Sequence, residues 1–312
     1  YGDHRDLHSF PTRRSSDLLE TYMARSQLGG KRRVPVTLGL HEARAFLRAA
    51  VCQRNSAVLL MVDLVEAFYR VLRPLALGSA FTDSDIAHLV AKLKMPQEVL
   101  HQLRDHLAQP SAVMLAGMPL HYQRAIQAIH EDTFFQMPGQ EDVCRTSVGS
   151  RPGDSFADIV FTFLFSRVLQ NFQQKLQAQG LQEYFRVDPA FDPFAMDHLQ
   201  QREMREHTGP VWMDDLCVTI SSGTAEGALN KAGVISSLLM DTLEEHAMLP
   251  NLRKGKTELL ISLRGPGVRA AKARFFGPCC TGMMPIVGEH MVRHITVVGE
   301  YQHLGGLLHH GG

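Results

Sequence analysis

The short apolar run at residues 57–64, AVLLMVDL, constrains the fold of this chain more than any other segment. It is rich enough in Val and Leu to predict a buried β-strand. Asp63 is the single acid in the run and comes at its end. The sequence therefore predicts a sheet strand that carries a carboxylate where it leaves the core.

The rest of the chain has both helical and strand patterns. Apolar residues at 40, 43, 46, 47 and 50 predict an amphipathic helix, and a long helix is predicted after the Gly/Pro turn at 149–154. Residues 183–208 are acidic and contain proline, which predicts an irregular insertion or long loop. Further helices are predicted at about 84–94, 97–108, 121–135 and 225–246, and strands near 257–263, 292–298 and 301–308. This mixed order favours an α+β fold with an antiparallel sheet over a doubly wound fold.

The composition narrows the class of protein. The 312 residues are 45% apolar, which is enough for a hydrophobic core. Lys and Arg total 32, as do Asp and Glu, so any site for a polyanion must be a local patch. The five cysteines include no CxxC pair, and no segment has the composition of a membrane span or a signal peptide. We therefore expect an intracellular protein in a reducing compartment, with no membrane partner.

The first 18 residues differ in character from the rest. They show no helical or strand periodicity, and the chain begins with Tyr1 instead of Met. HSFPTRRSSDL, at residues 8–18, resembles translated sequencing-adapter DNA. We interpret residues 1–18 as an artefactual or disordered tail that replaces the natural sequence before Leu19; a natural polar tail is the alternative.

A pair of acids lies within the segment PVWMDDLCVTIS at residues 210–221. Two short apolar strands flank the pair, which predicts a hairpin with Asp214 and Asp215 at its tip. If this hairpin pairs with the strand that ends at Asp63, three carboxylates share one site. Such close like charges require protonation or a divalent cation, and hard oxygen ligands suit Mg²⁺. The pattern predicts a two-metal site for phosphoryl transfer, although each motif alone is also typical of a solvated turn.

Five segments resemble, in order and spacing, the palm motifs of reverse transcriptases. They are VDLVEAFYRV (62–71), GSRPGDSFADIVF (149–161), WMDD (212–215), NLRKGKTELL (251–260) and YQHLGG (301–306). Upstream, QLGGKRR (27–33) resembles the QxG segment of the fingers. The likeness covers about residues 27–306 and is closest to the polymerase domain of non-LTR retrotransposons.

The resemblance implies roles for individual residues. It makes Asp63, Asp214 and Asp215 ligands of two Mg²⁺ ions, with Mn²⁺ as the alternative ion. Phe68 matches the bulky gate that excludes the 2′-hydroxyl of a ribonucleotide; a core phenylalanine is the alternative. Lys256 matches the lysine placed to protonate pyrophosphate, and an ordinary surface lysine is the alternative.

The same resemblance implies contacts to nucleotide, template and primer. Gly153 matches the turn glycine that lets the backbone approach the template–nucleotide pair, with a plain turn glycine as the alternative. Arg151 is the corresponding phosphate or base contact. Residues 301–306 match the primer-grip hairpin, for which a C-terminal edge hairpin is the alternative. A basic cluster is expected to meet triphosphate or template, and it consists of Lys31, Arg32 and Arg33.

A second basic cluster lies between residues 251 and 274. Glu258 is its single acid. We interpret the cluster as part of a nucleic-acid groove beside the lysine motif, although a solvated basic face is the alternative. Its seven basic residues are Arg253, Lys254, Lys256, Arg264, Arg269, Lys272 and Arg274.

Some positions depart from the family pattern. Pro152 stands where relatives commonly have Gln, and it has no amide side chain to help seat a nucleotide. Ala157 and Asp158 replace a Ser-Pro pair, and Trp212 with Met213 replaces an aromatic residue followed by Ala. The departures leave open a divergent subgroup or a decayed copy of a mobile element.

The resemblance as a whole implies an α+β polymerase palm with a partial fingers subdomain. Partial fingers are expected at residues 19–56 and the palm at 57–312, with fingers helices at about 84–135 and no thumb, so we expect a fragment. The expected activity is extension of a DNA primer along an RNA template with dNTPs, within a nuclear or cytoplasmic ribonucleoprotein. Two alternatives stay open: an RNA-dependent RNA polymerase, which Phe68 disfavours, and an inactive relic that only folds or binds RNA.

Overall fold

The structure is a computed structural model of the chain. It describes residues 19–31, 33–79, 82–93, 97–136, 139, 141–146, 148–150, 156–186, 204–276 and 282–311. The predicted tail at 1–18 lies outside the described residues, and so do Arg32, Arg151, Pro152 and Gly153.

Helices and strands both contribute to the fold. The helices are Thr37–Cys52, Arg73–Leu77, Asp83–Leu93, Gln97–Ala108, Ala112–Leu115, Leu120–His130, Ala157–Ala178, Ala225–Glu245 and Val268–Phe276, with a 3₁₀ turn at Ala67–Arg70. The strands are β1 (Ser56–Val62), β2 (Thr133–Gln136), β3 (Val143–Thr146), β4 (Tyr184–Arg186), β5 (Met204–Glu206), β6 (Val211–Trp212), β7 (Asp215–Ser222), β8 (Glu258–Ser262), β9 (Met283–Val287), β10 (Val292–Val298), β11 (Glu300–His303) and β12 (Gly306–His309).

A six-stranded sheet in the order β6-β7-β1-β8-β10-β9 organises these elements. β1 is antiparallel to both of its neighbours, β7 and β8, but β10 is parallel to β8. The prediction of a wholly antiparallel sheet is therefore wrong, and the fold is mixed α/β with a mixed sheet packed on helices. The cause is the connection after β8, which passes through a helix and β9 before the chain enters β10 in the direction of β8.

The central strand β1 is buried along its whole length, as its apolar run predicts. Val58, Leu60 and Val62 face a core formed with the helices Ala157–Ala178 and Ala225–Glu245. Leu59 and Met61 face the opposite core, which contains the helix Thr37–Cys52 and Leu308 of β12. Because alternate residues of a strand point to opposite faces, a continuous apolar run is needed to fill both cores.

Two predicted elements differ from the structure. The helix predicted at 121–135 ends at His130, since Asp132 has a positive φ of 48° and residues 133–136 form β2, which pairs with β3. Aromatic and β-branched residues after Asp132 favour the strand. The segment predicted as an irregular insertion at 183–208 contains a pair of strands, because β4 and β5 pair near its two ends. Residues 187–203 lie outside the described part.

The segment at residues 26–29 extends the sheet beyond β6. Val211 donates its backbone N–H to Ser26 O and accepts from the N–H groups of Leu28 and Gly29, at 2.8–3.2 Å. Gln27 is buried beneath this contact and accepts from Ser166 Oγ at 2.8 Å. The QxG segment is therefore attached to the hairpin that carries Asp214 and Asp215.

Replacement of Gly29 with alanine is expected to destabilise the protein by about 1–3 kcal/mol. A Cβ atom at this position would lie 2.5 Å from the backbone nitrogen of Met213, so the hairpin must shift. Chemical denaturation measures the effect. Gly223→Ala is the matched control, because a Cβ there meets nothing within 4 Å among the described residues. Equal stability of the two variants would contradict this role for Gly29.

Candidate active site

The three predicted aspartates lie at one end of the β1–β7 pair. Val62, the last residue of β1, pairs with Leu216 of β7, so Asp63 follows at the level of Asp215. Asp215 is the first residue of β7, and Asp214 lies in the turn that joins β6 to β7. The predicted hairpin is confirmed, and antiparallel pairing brings its tip beside Asp63.

The three carboxylates influence one another's ionisation. Burial, together with the charges of Asp214 and Asp63, raises the pKa of Asp215 from 3.8 to about 6. Burial also raises the pKa of Asp214, and the negative charge of Asp63 raises it too. A hydrogen bond to the backbone of Asp214 itself lowers this pKa. The positive charge of Lys256 lowers the pKa of both groups. A site with this mutual repulsion favours an additional cation.

Asp63 is held by the loop at residues 251–257. Lys256 Nζ donates to Asp63 Oδ1 at 3.2 Å, and Asn251 Nδ2 donates to Asp63 Oδ2 at 2.9 Å. The Thr257 hydroxyl donates to the backbone oxygen of Asp63 at 3.2 Å. No sequence pattern marks Asn251 or Thr257 as a site residue, because an Asn beside Pro and a basic Gly loop is typical of an ordinary turn.

The β11–β12 hairpin reaches the same site. The Tyr301 hydroxyl donates to the backbone oxygen of Lys256 at 2.6 Å. Burial raises the pKa of Tyr301 to about 12, and the charges of Asp215 and Asp63 act in the same direction. The hairpin therefore lies beside the carboxylates, and its primer-grip role stays a prediction.

The donor set of the site fits Mg²⁺ or Mn²⁺. Three carboxylates supply hard oxygen ligands, and the Lys256 ammonium at Asp63 Oδ1 stands where positive charge is favourable. The ligand atoms of the three aspartates do not all lie within 4.8 Å of one another. Among the described residues, only a histidine-containing cluster has ligand atoms that close together. A more open set of carboxylates leaves coordination positions for phosphate oxygens.

That tighter cluster consists of His106, Glu245 and His246. Its members already have protein partners: Lys175 Nζ lies 2.5 Å from Glu245 Oε1, and Asn171 Nδ2 lies 3.2 Å from His246 Nε2. The His106 and His246 rings are in contact, with centroids 4.2 Å apart. We interpret the cluster as structural, because Lys175 supplies the positive charge that Glu245 needs.

Phe68, the candidate sugar gate, lies in the 3₁₀ turn that follows Asp63. Its ring is half-buried and contacts Phe161, with centroids 4.6 Å apart. The backbone oxygen of Phe68 accepts from the Ser150 N–H at 2.8 Å, and Gly149 packs against Tyr69. The segment at 62–71 is therefore in contact with described residues of the segment at 149–161.

Arg73 hydrogen-bonds to several segments of this region, and no sequence pattern marks it as a site residue. The side chain is only 4% exposed and donates six hydrogen bonds of 2.7–3.2 Å. A buried arginine this well paired fixes the relative positions of the segments that it joins. The acceptors are the backbone oxygens of His130, Thr146, Val148 and Gly149 and the hydroxyls of Thr133 and Thr146.

The basic cluster of the QxG segment is described in part. Lys31 Nζ donates to the backbone oxygen of Arg25 at 3.2 Å. Burial lowers the pKa of Lys31, and the nearby Glu42 and Glu20 oppose this. Arg33 is exposed and has a positive φ of 61°. The expected contact of Lys31, Arg32 and Arg33 with triphosphate or template stays a prediction.

The second basic cluster does not form one continuous patch. Lys256 lies at the carboxylate end of β1, whereas the backbone N–H of Arg264 donates to Ser56 at the other end. Seven residues of β1 separate the two ends by roughly 20 Å. Arg274 pairs with Glu226 at that far end. β8 carries the chain across the sheet between the two halves of the cluster, and the nucleic-acid groove stays a prediction.

In the absence of divalent cations, the contribution of Asp215 to stability is expected to fall as the pH rises from about 4 to about 6. A carboxyl group with a raised pKa binds its proton more readily in the folded chain, so losing that proton is unfavourable to folding. Melting temperatures of the wild type and Asp215→Asn, compared across this range, isolate the effect. We expect Mg²⁺ to restore stability above pH 6, and parallel melting curves for the two proteins would contradict the assignment.

Comparison with known proteins adds no family assignment. No protein-family model matches the chain, and no curated protein matches it. Within the described residues, no helix has the length and apolar character needed to cross a bilayer. Function must therefore be inferred from the geometry of the site and from the order of the motifs.

Proposed function

We propose that the chain is the palm and part of the fingers of a reverse transcriptase, which adds deoxynucleotides to a primer along an RNA template. One observation carries the proposal: Asp63 meets Asp214 and Asp215 at the end of two paired strands, beside Lys256. Two long helices, Ala157–Ala178 and Ala225–Glu245, pack on one face of the sheet, which is compatible with a palm. The five motifs that resemble the family contribute residues to this site or to its surroundings.

In this proposal the chain's own residues bind and orient the reactants. Asp63, Asp214 and Asp215 would hold two Mg²⁺ ions, and these ions would supply Lewis-acid activation of the primer hydroxyl and neutralisation of phosphate charge. The primer 3′-hydroxyl loses its proton to water and its oxygen forms a bond to the α-phosphorus of the dNTP. The bond from the α-phosphorus to the oxygen that bridges it to the β-phosphorus breaks, and pyrophosphate leaves. Positioning and charge neutralisation supply the rate enhancement.

Lys256 has a second part in the same reaction. Its side chain is 49% exposed, so it is free to exchange Asp63 for another anion. With a triphosphate bound, the Lys256 ammonium would turn from Asp63 to the phosphate oxygens and donate a proton to the leaving pyrophosphate. The carbonyl of Lys256, held by Tyr301, keeps the residue at the site through this exchange.

Replacement of Phe68 with valine is expected to reduce discrimination against ribonucleotides by at least about tenfold. The aromatic ring would exclude the 2′-hydroxyl by steric overlap, and valine removes that overlap. The ratio of kcat/KM for dNTPs and NTPs measures the effect. Phe68 also contacts Phe161, so a melting curve must accompany the kinetics. Unchanged selectivity with lower stability would mean that Phe68 serves only the core.

The experiment that tests the proposed function is primer extension on an RNA template with Mg²⁺ or Mn²⁺. The chain is compared with Asp63→Asn, and dNTPs are compared with NTPs. Extension with dNTPs that depends on Asp63 supports the proposal. Extension with NTPs alone favours an RNA-dependent RNA polymerase, and RNA binding without extension favours an inactive relic.

A further inference from the structure

Asn251 holds both the backbone and the side chain of Asp63. Its backbone N–H donates to the Asp63 backbone oxygen at 2.8 Å, while its Nδ2 donates to Asp63 Oδ2 at 2.9 Å. Two bonds from one residue to one residue fix a carboxylate more firmly than a single contact to a long side chain, because less rotamer freedom remains.

The orientation of Asn251 is itself determined by its surroundings. The Arg253 N–H donates to Asn251 Oδ1 at 3.4 Å, which leaves the Nδ2 group to face Asp63. The Thr257 N–H donates to the Asn251 backbone oxygen at 2.9 Å and closes the loop. The residues just before Asn251 pair with those just after Asp63, through a bridge between Leu64 and Pro250. Asn251 is therefore anchored on both sides.

The two oxygens of Asp63 have different kinds of partner. Oδ2 accepts a hydrogen bond from the uncharged amide of Asn251, whose backbone is itself held by hydrogen bonds. Oδ1 accepts a hydrogen bond from the ammonium of Lys256. This side chain is half-exposed, so it can turn away from Asp63 into solvent. The amide orients the carboxylate without neutralising it, and the oxygen that points to the ammonium stays available for a cation.

We propose that Asn251 is a positioning residue that orients the Asp63 carboxylate for the metal ion. This inference rests on the proposed function, because it requires Asp63 to be a metal ligand. Groups that hydrogen-bond to metal ligands fix their geometry, and their loss typically weakens metal affinity by about 10–100-fold. The metal itself is bound by Asp63, and Asn251 acts only through that residue.

The test is a Mn²⁺ titration of the full chain, followed by the electron paramagnetic resonance signal of free Mn²⁺. The variants are Asn251→Leu, which matches the size of Asn without its amide, and Asn251→Ser, which is available if the Leu variant fails to fold. Asp63→Asn identifies the Asp63-dependent binding. Asn55→Leu is the matched control, because that amide contacts Gln53 before the start of β1. Melting temperatures are measured in parallel.

We expect Asn251→Ser to weaken the Asp63-dependent binding of Mn²⁺ by about tenfold or more, with Asn55→Leu unchanged. Unchanged Mn²⁺ affinity in Asn251→Ser overturns the positioning role, whether or not its melting temperature falls. Equal Mn²⁺ binding by the wild type and Asp63→Asn overturns the metal site of the proposed function, and the positioning role with it. The two failures are thus distinguishable.

Discussion

Replacement of Asp63 with asparagine is expected to reduce nucleotide incorporation at least about a hundredfold. Asparagine keeps the shape of the side chain but removes the negative charge that a metal ion requires. Asp63 also influences the ionisation of Asp214 and Asp215, so its loss changes the whole charge balance of the site. Single-turnover primer extension measures the chemical step directly.

The control for this prediction is Asp132→Asn. Asp132 carries the same functional group, but it is 85% exposed and pairs with Arg145 away from the β1–β7 pair. We expect the control to extend primers at the wild-type rate. Near-normal incorporation by Asp63→Asn, with a melting temperature equal to that of the wild type, would contradict a catalytic role for the carboxylate.

Replacement of Arg73 with methionine is expected to lower the free energy of unfolding by about 3–5 kcal/mol. Methionine fills part of the volume, but it leaves the six acceptors of Arg73 without their donors in a buried environment. The turn at Gly149, the β2–β3 pair and the end of the helix Leu120–His130 lose their common support. Chemical denaturation and the thermal midpoint measure the loss.

Two further variants separate this effect from the general loss of a positive charge. Arg124→Met removes an exposed arginine from the helix Leu120–His130, and we expect a change within about 0.5 kcal/mol. Arg73→Lys keeps the charge without the planar fork and should be intermediate. If Arg73→Met and Arg124→Met were equally stable, the hydrogen bonds of Arg73 would be energetically unimportant.

The proximity of Asp63, Asp214 and Asp215 was predictable from the sequence, because it depends on local hydrophobic patterns. A run that must be buried on both faces defines β1, and an acid pair between two short apolar segments defines the hairpin tip. If the two strands pair as antiparallel neighbours, Asp63 and Asp215 follow at the same end. The amphipathic spacing of residues 40–50 likewise located the helix Thr37–Cys52.

Contacts that depend on the path of the chain were not predictable in this way. The basic residues at 251–274 are close in sequence, but strand β8 lies between them. Because an extended strand has a long rise per residue, it places these residues at opposite ends of the sheet. The parallel pairing of β10 with β8 depends on a crossover whose course no local pattern reveals. Asn251 and Arg73 act through partners more than 50 residues away, so nothing near them in sequence marks their roles.

The complete burial of β1 has a consequence for the dynamics of the site. Its backbone is paired on both edges and covered on both faces, so its amide hydrogens exchange with solvent only when the sheet itself opens. The loop at 253–256 is exposed, and its amides exchange through local fluctuations. Asp63 therefore follows a strand protected on both edges and both faces, whereas Lys256 belongs to an exposed loop in which local opening costs less. In the proposed reaction, such a division would let Lys256 follow the triphosphate through each addition while Asp63 stays in place.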